Sequence, residues 1–260
     1  TEILGGSEYH CRLIAERLAL RHEVEVLTTC AQDYITWKNA YPEGEDRVRG
    51  VTVRRFANSE TREIKEFNKF SDWIFHNPHT DDDEVEWLRR QGPWCPALIK
   101  YLEQYATTYD ALIFFTYLYA PTVLGLRVAP SRSILVPTAH DEPAIQLKIY
   151  RDMFTLPAGI AYNTAVERQF LKSNFPIRAV SEEIVGCGVD LPQRQGYRKR
   201  TVTTPTSTSS TNVSQGLDGK TKLGQRDHDR SQALQTDNEA FRRRYRLHGP
   251  IALYGGRIDP

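Results

Sequence analysis

Two short polar segments lie where predicted strands and helices meet, and they hold the side chains best suited to chemistry. In the first, Gly5 and Gly6 precede Ser7 and a helical stretch. Glycines let backbone N–H groups approach a phosphate, and a helix N-terminus carries partial positive charge, so the segment predicts a phosphate contact. It lacks the full G-x-G-x-x-G fingerprint, so a tight loop entering a helix is the alternative. Glu8 in the first turn would also repel an anion.

The second segment, Pro137-Thr138-Ala139-His140-Asp141-Glu142-Pro143, directly follows a predicted apolar strand. Such a position is the carboxyl edge of a sheet, where open α/β folds bind ligands. We therefore predict that His140 is catalytic, by proton transfer or by positioning a substrate hydroxyl, and that His140 and Asp141 bind substrate. The alternatives are that Asp141 or Glu142 caps the helix beginning near Pro143, and that His140 only packs.

A third candidate is Arg257, which follows Gly255 and Gly256 at the end of a short apolar run. A guanidinium beside glycine backbone suits a diphosphate. The alternative is an ordinary surface arginine.

Metal and disulfide chemistry have little support in the sequence. The cysteines at positions 11, 30, 95 and 187 are far apart and form no C-x-x-C pair, which favours reduced thiols in a cytoplasmic protein. The acidic run at 81–84 lies near His76 and His79 and could attract a cation, but such a run more often opens a helix. We therefore expect no metal site.

Some aromatic residues could stack on a sugar ring, although core packing is the commoner role of such residues. They are Trp73, Trp87, Trp94 and the segment 117–119.

Short apolar strands alternate with helical stretches over the first 190 or so residues, which predicts an α/β fold with a doubly wound parallel sheet. Strands are predicted at residues 23–28, 51–56, 111–116, 134–137, 159–162 and 184–189. Helices are predicted at residues 7–20, 61–75, 83–90, 96–107, 120–128, 143–155 and 164–173. Partial alternation at 51–56 indicates a strand near the sheet edge. Thr164-Ala165-Val166-Glu167 matches a capping box, which gives Glu167 a structural role.

The composition is that of a near-neutral globular protein, with 34 basic and 33 acidic side chains in 260 residues. This balance argues against a nucleic-acid partner, and no apolar run approaches the ~18 residues of a membrane span. Residues 193–236 are rich in Ser and Thr and poor in apolar side chains, so we predict a disordered linker or insertion there. We expect one domain at 1–192 and the start of a second at 237–260. Because residue 1 is Thr, we also expect a piece of a longer chain.

Several motifs in order resemble one enzyme family. They are Gly5-Gly6-Ser7-Glu8, the strand beginning at Glu23, Thr138-Ala139-His140-Asp141, Asn163-Thr164-Ala165-Val166-Glu167, Val185-Gly186-Cys187-Gly188-Val189-Asp190, and Phe241-Arg242-Arg243-Arg244-Tyr245 before Leu253-Tyr254-Gly255-Gly256-Arg257. Together they resemble the N-terminal domain of family-four retaining glycosyltransferases, which have the GT-B fold of two facing Rossmann-like domains. The resemblance covers residues 1–192 and resumes at 237–260.

The resemblance implies transfer of a hexose from a nucleotide diphosphate sugar to an acceptor hydroxyl with retained configuration. It places Gly5, Gly6 and Ser7 against the donor phosphate, His140 near the transferred sugar, and Arg257 on the diphosphate. No metal or cofactor is implied beyond the nucleotide sugar donor. The acceptor would be a sugar, a glycan or a lipid-linked molecule, in a pocket shaped by loops such as 31–50 and 75–94. The basic side chains of the first helix are too few to decide whether the protein contacts a membrane peripherally.

The sequence also departs from the family pattern. The first strand is missing before Gly5, which would leave the strand at 23–28 without its inner neighbour and break the core. The donor-binding half is truncated, so we expect negligible transfer by these 260 residues alone. The alternative is an inactive or regulatory acceptor-binding module derived from such an enzyme. An unrelated nucleotide-binding fold would need an acidic residue at the end of the strand at 23–28, where the sequence has Thr28-Thr29-Cys30.

Overall fold

The computed structural model describes residues 6–188, which form helices and strands in alternation. The helices are α1 (Gly6–Leu18), α2 (Ile64–His76), α3 (Asp81–Gln91), α4 (Pro96–Tyr105), α5 (Ala120–Val128), α6 (Lys148–Met153) and α7 (Ala165–Asn174). The strands are β1 (Glu25–Thr29), β2 (Gly44–Val48), β3 (Val51–Phe56), β4 (Leu112–Phe115), β5 (Ser133–Val136), β6 (Gly159–Tyr162) and β7 (Ser181–Ile184). The predicted linker at 193–236 and the predicted second-domain start at 237–260 lie outside the described residues.

Two sheets are present in this part of the chain. The larger has the order β4-β5-β6-β7 with every pair parallel, and the smaller has the order β1-β3-β2. In the smaller sheet β1 is parallel to β3, whereas β2 and β3 form an antiparallel hairpin. The fold is therefore mixed α/β, with a four-stranded parallel sheet flanked by helices.

The larger sheet carries the main core. Leu135 of β5 and Tyr162 of β6 are fully buried, as expected for strands covered on both faces. They pack with Leu126 of α5, Tyr150 of α6 and Leu171 of α7 in one hydrophobic cluster. Burial of this apolar surface fixes the helices that connect successive parallel strands.

Most predicted elements are confirmed, and β3 has the predicted bounds. Strand β3 is the central strand of its sheet, one place in from the edge, because β2 pairs with its far side. Strand β2 is polar and mostly exposed, so its sequence gave no apolar signal. It is held instead by the Arg49-Gly50 turn, where both residues have positive φ as a tight hairpin requires, and by the ion pair from Arg55 to Asp46.

Two further predictions need correction. The last strand ends at Ile184, where the sequence pattern placed its start, and it begins at Ser181. The helix predicted at 143–155 is divided into a 3₁₀ turn at Pro143–Gln146 and α6, because Leu147 has an extended backbone. Among residues 6–188, no helix combines the length and the apolar character needed to cross a bilayer.

Within residues 6–188, strands β1 and β4 belong to different sheets, but contacts connect residues at or near both of their ends. At their amino ends Glu25 accepts a hydrogen bond from Tyr109, and their carboxyl ends line one cavity. Leu27 of β1 and Leu112 of β4 also join the same small hydrophobic cluster, into which α4 inserts Leu98 and Leu102. Within the described residues each strand therefore ends its own sheet. The expected absence of a first strand falls on residues 1–5, which lie outside the described residues.

Candidate functional site

The first turn of α1 lies at the carboxyl end of β4. The hydroxyl of Thr116, the residue after β4, donates to Oγ of Ser7 over 2.8 Å. One turn further along α1, the His10 ring packs edge-on against Phe115 with centroids 5.6 Å apart. Burial lowers the pKa of His10, so its neutral form is favoured in this contact. The N-terminus of α1, where the sequence predicts a phosphate contact, is thus fixed at the carboxyl end of β4.

Two threonines at this edge have left-handed backbone conformations. Thr116 has φ 66° just after β4, and Thr138 has φ 51° just after the neighbouring strand β5. Each such conformation costs a β-branched residue about 1–3 kcal/mol, and strain of this kind concentrates at functional sites. The strand ladder continues past the strands through hydrogen bonds from Thr116 N to Val136 O and from Tyr117 N to Pro137 O, both 2.9 Å. These bonds hold Thr116 directly and fix the carbonyl of Pro137, the residue before Thr138.

Glu167, near the N-terminus of α7, organises the loop that carries His140. Its buried carboxylate accepts hydrogen bonds from the backbone N–H of Ala139 and of Asn163, each over 2.6 Å. Its own N–H donates to the Thr164 hydroxyl over 3.0 Å, as the capping box predicted. Burial raises the pKa of Glu167, and the backbone donors oppose that rise. Its predicted structural role therefore extends to the next loop, because Ala139 directly precedes His140.

His140 itself projects from that loop, with 70% of its side chain exposed. Its Nε2 lies 3.6 Å from Oε2 of Glu142, and the other Glu142 oxygen accepts a hydrogen bond from the Tyr117 hydroxyl. Burial, and then the charge of Glu142, raise the pKa of Tyr117, so this phenol stays a donor. Glu142 thus links exposed His140 to the core, while Asp141 is exposed. Glu142 also precedes the Pro143 turn without a side-chain cap hydrogen bond, so its predicted capping alternative is wrong.

The structure brings some of the predicted site residues to one edge. Gly6 and Ser7 lie beside the end of β4, and His140 and Asp141 follow the neighbouring strand β5. Gly5 and Arg257 lie outside the described residues.

A chain of polar contacts that the sequence did not indicate crosses the same edge. The Cys187 thiol donates to Asn163 Oδ1 over 3.3 Å and lies 3.7 Å from His10 Nδ1. Asn163 in turn donates to the Thr138 hydroxyl over 3.4 Å. These contacts connect α1 with the ends of β5 and β6. The sequence held one signal for these contacts: His10 follows Ser7 by three residues, so both lie on the same face of the helix.

A cavity of about 220 Å³ opens at the carboxyl ends of β1 and β4. It is bounded by Glu8 of α1, by the residues after β1 as far as Trp37, and by Phe115 and Tyr119 after β4. Ala31, Tyr34 and Pro93 in its wall belong to the loops predicted to shape an acceptor pocket. We call it the Trp37 cavity. A second, larger cavity of about 480 Å³ lies along α4 and is lined by Pro96, Ile99 and Lys100, away from these strand ends.

The acidic run that opens α3 has structural partners. Asp83 and Thr80 form a reciprocal capping box. Buried Glu84 accepts from the backbone N–H of Lys148 and Ile149, and it pairs with His79. Within residues 6–188, no group of His, Cys, Asp and Glu side chains has the arrangement that would hold a metal ion.

Comparisons with protein families, with curated proteins and with solved structures give no match to this chain.

Proposed function

We propose that the described residues form the acceptor-side domain of a retaining glycosyltransferase with a GT-B, doubly wound architecture. The reaction would move a hexose from a nucleotide diphosphate sugar to an acceptor hydroxyl. The observation that carries the proposal is the joint position of the α1 N-terminus and the His140 loop at the ends of two adjacent parallel strands. Ligands of open α/β sheets bind at this edge.

In this proposal, different residues bind the phosphate, bind the sugar and stabilise charge. Backbone N–H groups at the start of α1, with Gly5 and Gly6, suit the donor phosphate. His140 stands exposed where it can hydrogen-bond a sugar hydroxyl, and Glu142 restricts its ring. The bond from the sugar carbon to the phosphate oxygen breaks, a new bond to the acceptor oxygen forms, and the acceptor proton passes to the departing diphosphate. Such a site acts by holding charge and reactants in position, and Arg257 is proposed to add charge at the diphosphate.

A specific observation also favours the alternative, an acceptor-binding module without transfer activity. The described lining of the Trp37 cavity includes the carboxylates of Glu8 and Asp33 but no Lys, Arg or His. Such a lining suits a sugar hydroxyl better than a diphosphate. The cavity alone would therefore retain an acceptor without a donor.

A binding titration separates the two functions. Isotope-labelled protein is titrated with nucleotide diphosphate hexoses carrying different bases and, separately, with simple glycosides, while the backbone resonances of Ser7, Thr116 and His140 are followed by NMR. If the domain belongs to a transferase with a working donor site, a nucleotide sugar should shift the backbone resonances of all three residues. Shifts from glycosides alone support the binding module. No response to either class contradicts both proposals.

A further inference from the structure

The loop after β1 is held rigidly around the Trp37 cavity by buried Arg62. Its guanidinium donates to the carbonyl oxygens of Tyr34 and Ile35, the latter over 2.9 Å, and to Oε1 of Gln91 over 2.8 Å. Its backbone N–H donates to Thr36 O over 2.7 Å. One side chain thus fixes two successive carbonyls, those of the cavity-lining Tyr34 and of Ile35 beside it, and ties them to α3.

Trp37 is fixed as firmly as the backbone around it. Its indole N–H donates to Gln91 O over 2.7 Å, and its carbonyl accepts from the Asn58 side chain over 2.9 Å. Gly92 lies so close that a Cβ there would approach the indole to 2.9 Å. The ring meets Tyr119 edge-on with centroids 5.3 Å apart. The aromatic wall is therefore formed before any ligand arrives, which lowers the entropic cost of binding.

Among the polar side chains that line the cavity, which include Thr28 and Gln32, Glu8 supplies a carboxylate acceptor and Tyr119 a hydroxyl donor. Asp33 is occupied, because its carboxylate accepts from the backbone N–H of Ile35 and Thr36 over 2.9 and 2.7 Å. Within residues 6–188, the Glu8 carboxylate and the Tyr119 hydroxyl have no hydrogen-bond partner. Burial, and then the charge of Glu8, raise the pKa of Tyr119, so its hydroxyl stays protonated as a donor.

We propose that the Trp37 cavity binds one uncharged, hydroxyl-rich ring, such as a neutral monosaccharide unit or a cyclitol, and rejects rings that carry phosphate or carboxylate. Its volume of about 220 Å³ equals roughly seven waters at ~30 Å³ each, the size of a single such ring. Aromatic faces pack on the C–H face of the ring, Glu8 accepts from its hydroxyls, and Tyr119 donates to them. An anionic ring would meet the Glu8 charge in a cavity whose described lining holds no Lys, Arg or His. The nearby Arg62 guanidinium lies behind the Trp37 ring and already donates to Tyr34 O, Ile35 O and Gln91 Oε1. Naming this ring the acceptor rests on the proposed function.

The test compares neutral and anionic rings of one shape. Methyl glucopyranoside and myo-inositol are titrated into the labelled protein beside glucuronate and glucose phosphate, and the Trp37 indole N–H resonance is followed. We expect the neutral rings to shift this resonance and the anions to bind at least about fivefold more weakly. Tyr119→Phe should weaken methyl glucopyranoside binding about fivefold, the value of one neutral hydrogen bond. Glu8→Gln should raise the affinity for glucuronate about fivefold relative to that for methyl glucopyranoside.

Matched controls are Tyr105→Phe on α4 and Glu23→Gln before β1, which lie outside the cavity and should change neither affinity. Equal binding of anionic and neutral rings, or no response of Trp37 to either neutral ring, overturns the proposal. Unchanged discrimination in Glu8→Gln also overturns it. The Ser7 and His140 resonances report the proposed function separately. If a nucleotide sugar shifts the Ser7 and His140 resonances while neutral rings leave the Trp37 resonance unchanged, the cavity proposal is wrong and the proposed function stands.

Discussion

The Thr116 hydroxyl donates a 2.8 Å hydrogen bond to Ser7 Oγ, which ties the first turn of α1 to the end of β4. Thr116 has a left-handed backbone conformation, and so has Thr138, which follows the next strand. The two residues define an edge at which a helix N-terminus and the His140 loop come together. The proposed phosphate and sugar contacts depend on that edge.

Replacing either strained threonine by glycine should relieve the strain, because glycine adopts positive φ without a steric cost. We expect Thr138→Gly to stabilise the fold by about 1 kcal/mol or to leave it unchanged, and to loosen the His140 loop. Thr116→Gly also loses the Ser7 hydrogen bond, so its gain should be smaller by about 1 kcal/mol. Chemical denaturation measures both. A clear loss of stability in Thr138→Gly would show that its conformation carries no strain.

The buried carboxylate of Glu167 gives a pH-dependent prediction. Its pKa is raised in the folded state, so folding binds a proton, and the stability it contributes is present at low pH. That contribution is lost as pH rises from about the ordinary glutamate value through the raised value. Glu167→Gln should therefore be less stable at every pH by about 1–3 kcal/mol, because one backbone donor loses its acceptor.

The stability gap between wild type and Glu167→Gln should be larger near pH 4 than near pH 7. Denaturation at the two pH values gives the gap, and titrations shared by both proteins cancel in it. A gap that widens toward pH 7 would mean that hydrogen bonding outweighs burial at this carboxylate and lowers its pKa.

Replacement by alanine should have a large effect at one glycine of the helix that covers the larger sheet and a small effect at one glycine of the sheet itself. A Cβ on Gly125 of α5 would lie 2.5 Å from the Phe114 ring, whereas one on Gly159 of β6 would meet its nearest atom at 3.5 Å. We expect Gly125→Ala to cost about 1–3 kcal/mol through overpacking. Gly159→Ala should stay within about 0.5 kcal/mol of wild type. Equal effects in thermal or chemical unfolding would show that Phe114 has room to move.

Two residues of the four-stranded sheet offer a test of the β4 edge, which has no strand partner on its outer side among residues 6–188. Ile113 of β4 is 38% exposed, although it belongs to an apolar strand, whereas Leu135 of β5 is fully buried. Ile113→Lys should cost less than about 1 kcal/mol and reduce aggregation, because a charge on an edge strand blocks pairing with other chains. Leu135→Ala should cost about 2–5 kcal/mol. A large loss in Ile113→Lys would show that something covers this edge in solution.

The sequence predicted the elements that have strong apolar patterns. It did not predict elements whose position depends on contacts with other parts of the chain. The runs at Leu112 and Ile134 identified β4 and β5, since strands covered on both faces read as continuous apolar segments. Strand β2 was missed because its residues are polar and it is held by a hairpin turn and cross-strand ion pairs. The strand near Ile184 was displaced by three residues, because its opening residues Ser181, Glu182 and Glu183 carry no apolar signal.

The candidate site was predictable only in part. Ser7 and His140 could be placed because each stands at a junction between a strand and a helix, which the sequence pattern marks. The contact from Glu167 to Ala139 spans 28 residues, and the one from Tyr117 to Glu142 spans 25. Such pairings follow from the packing of strands and helices, so no local spacing indicates them. The Trp37 cavity likewise depends on Arg62, whose role appears only in three dimensions.

The central claim is that the start of α1 and the His140 loop form one ligand site. The most direct test is a single titration of the labelled protein with a nucleotide diphosphate hexose, in which the Kd is fitted separately at the Ser7 amide and at the His140 ring. We predict the same Kd at both positions in the wild type, and a weaker Kd at the His140 ring when Ser7→Pro removes a backbone N–H from the start of α1. Two different values, or a response at one position alone, would contradict the claim.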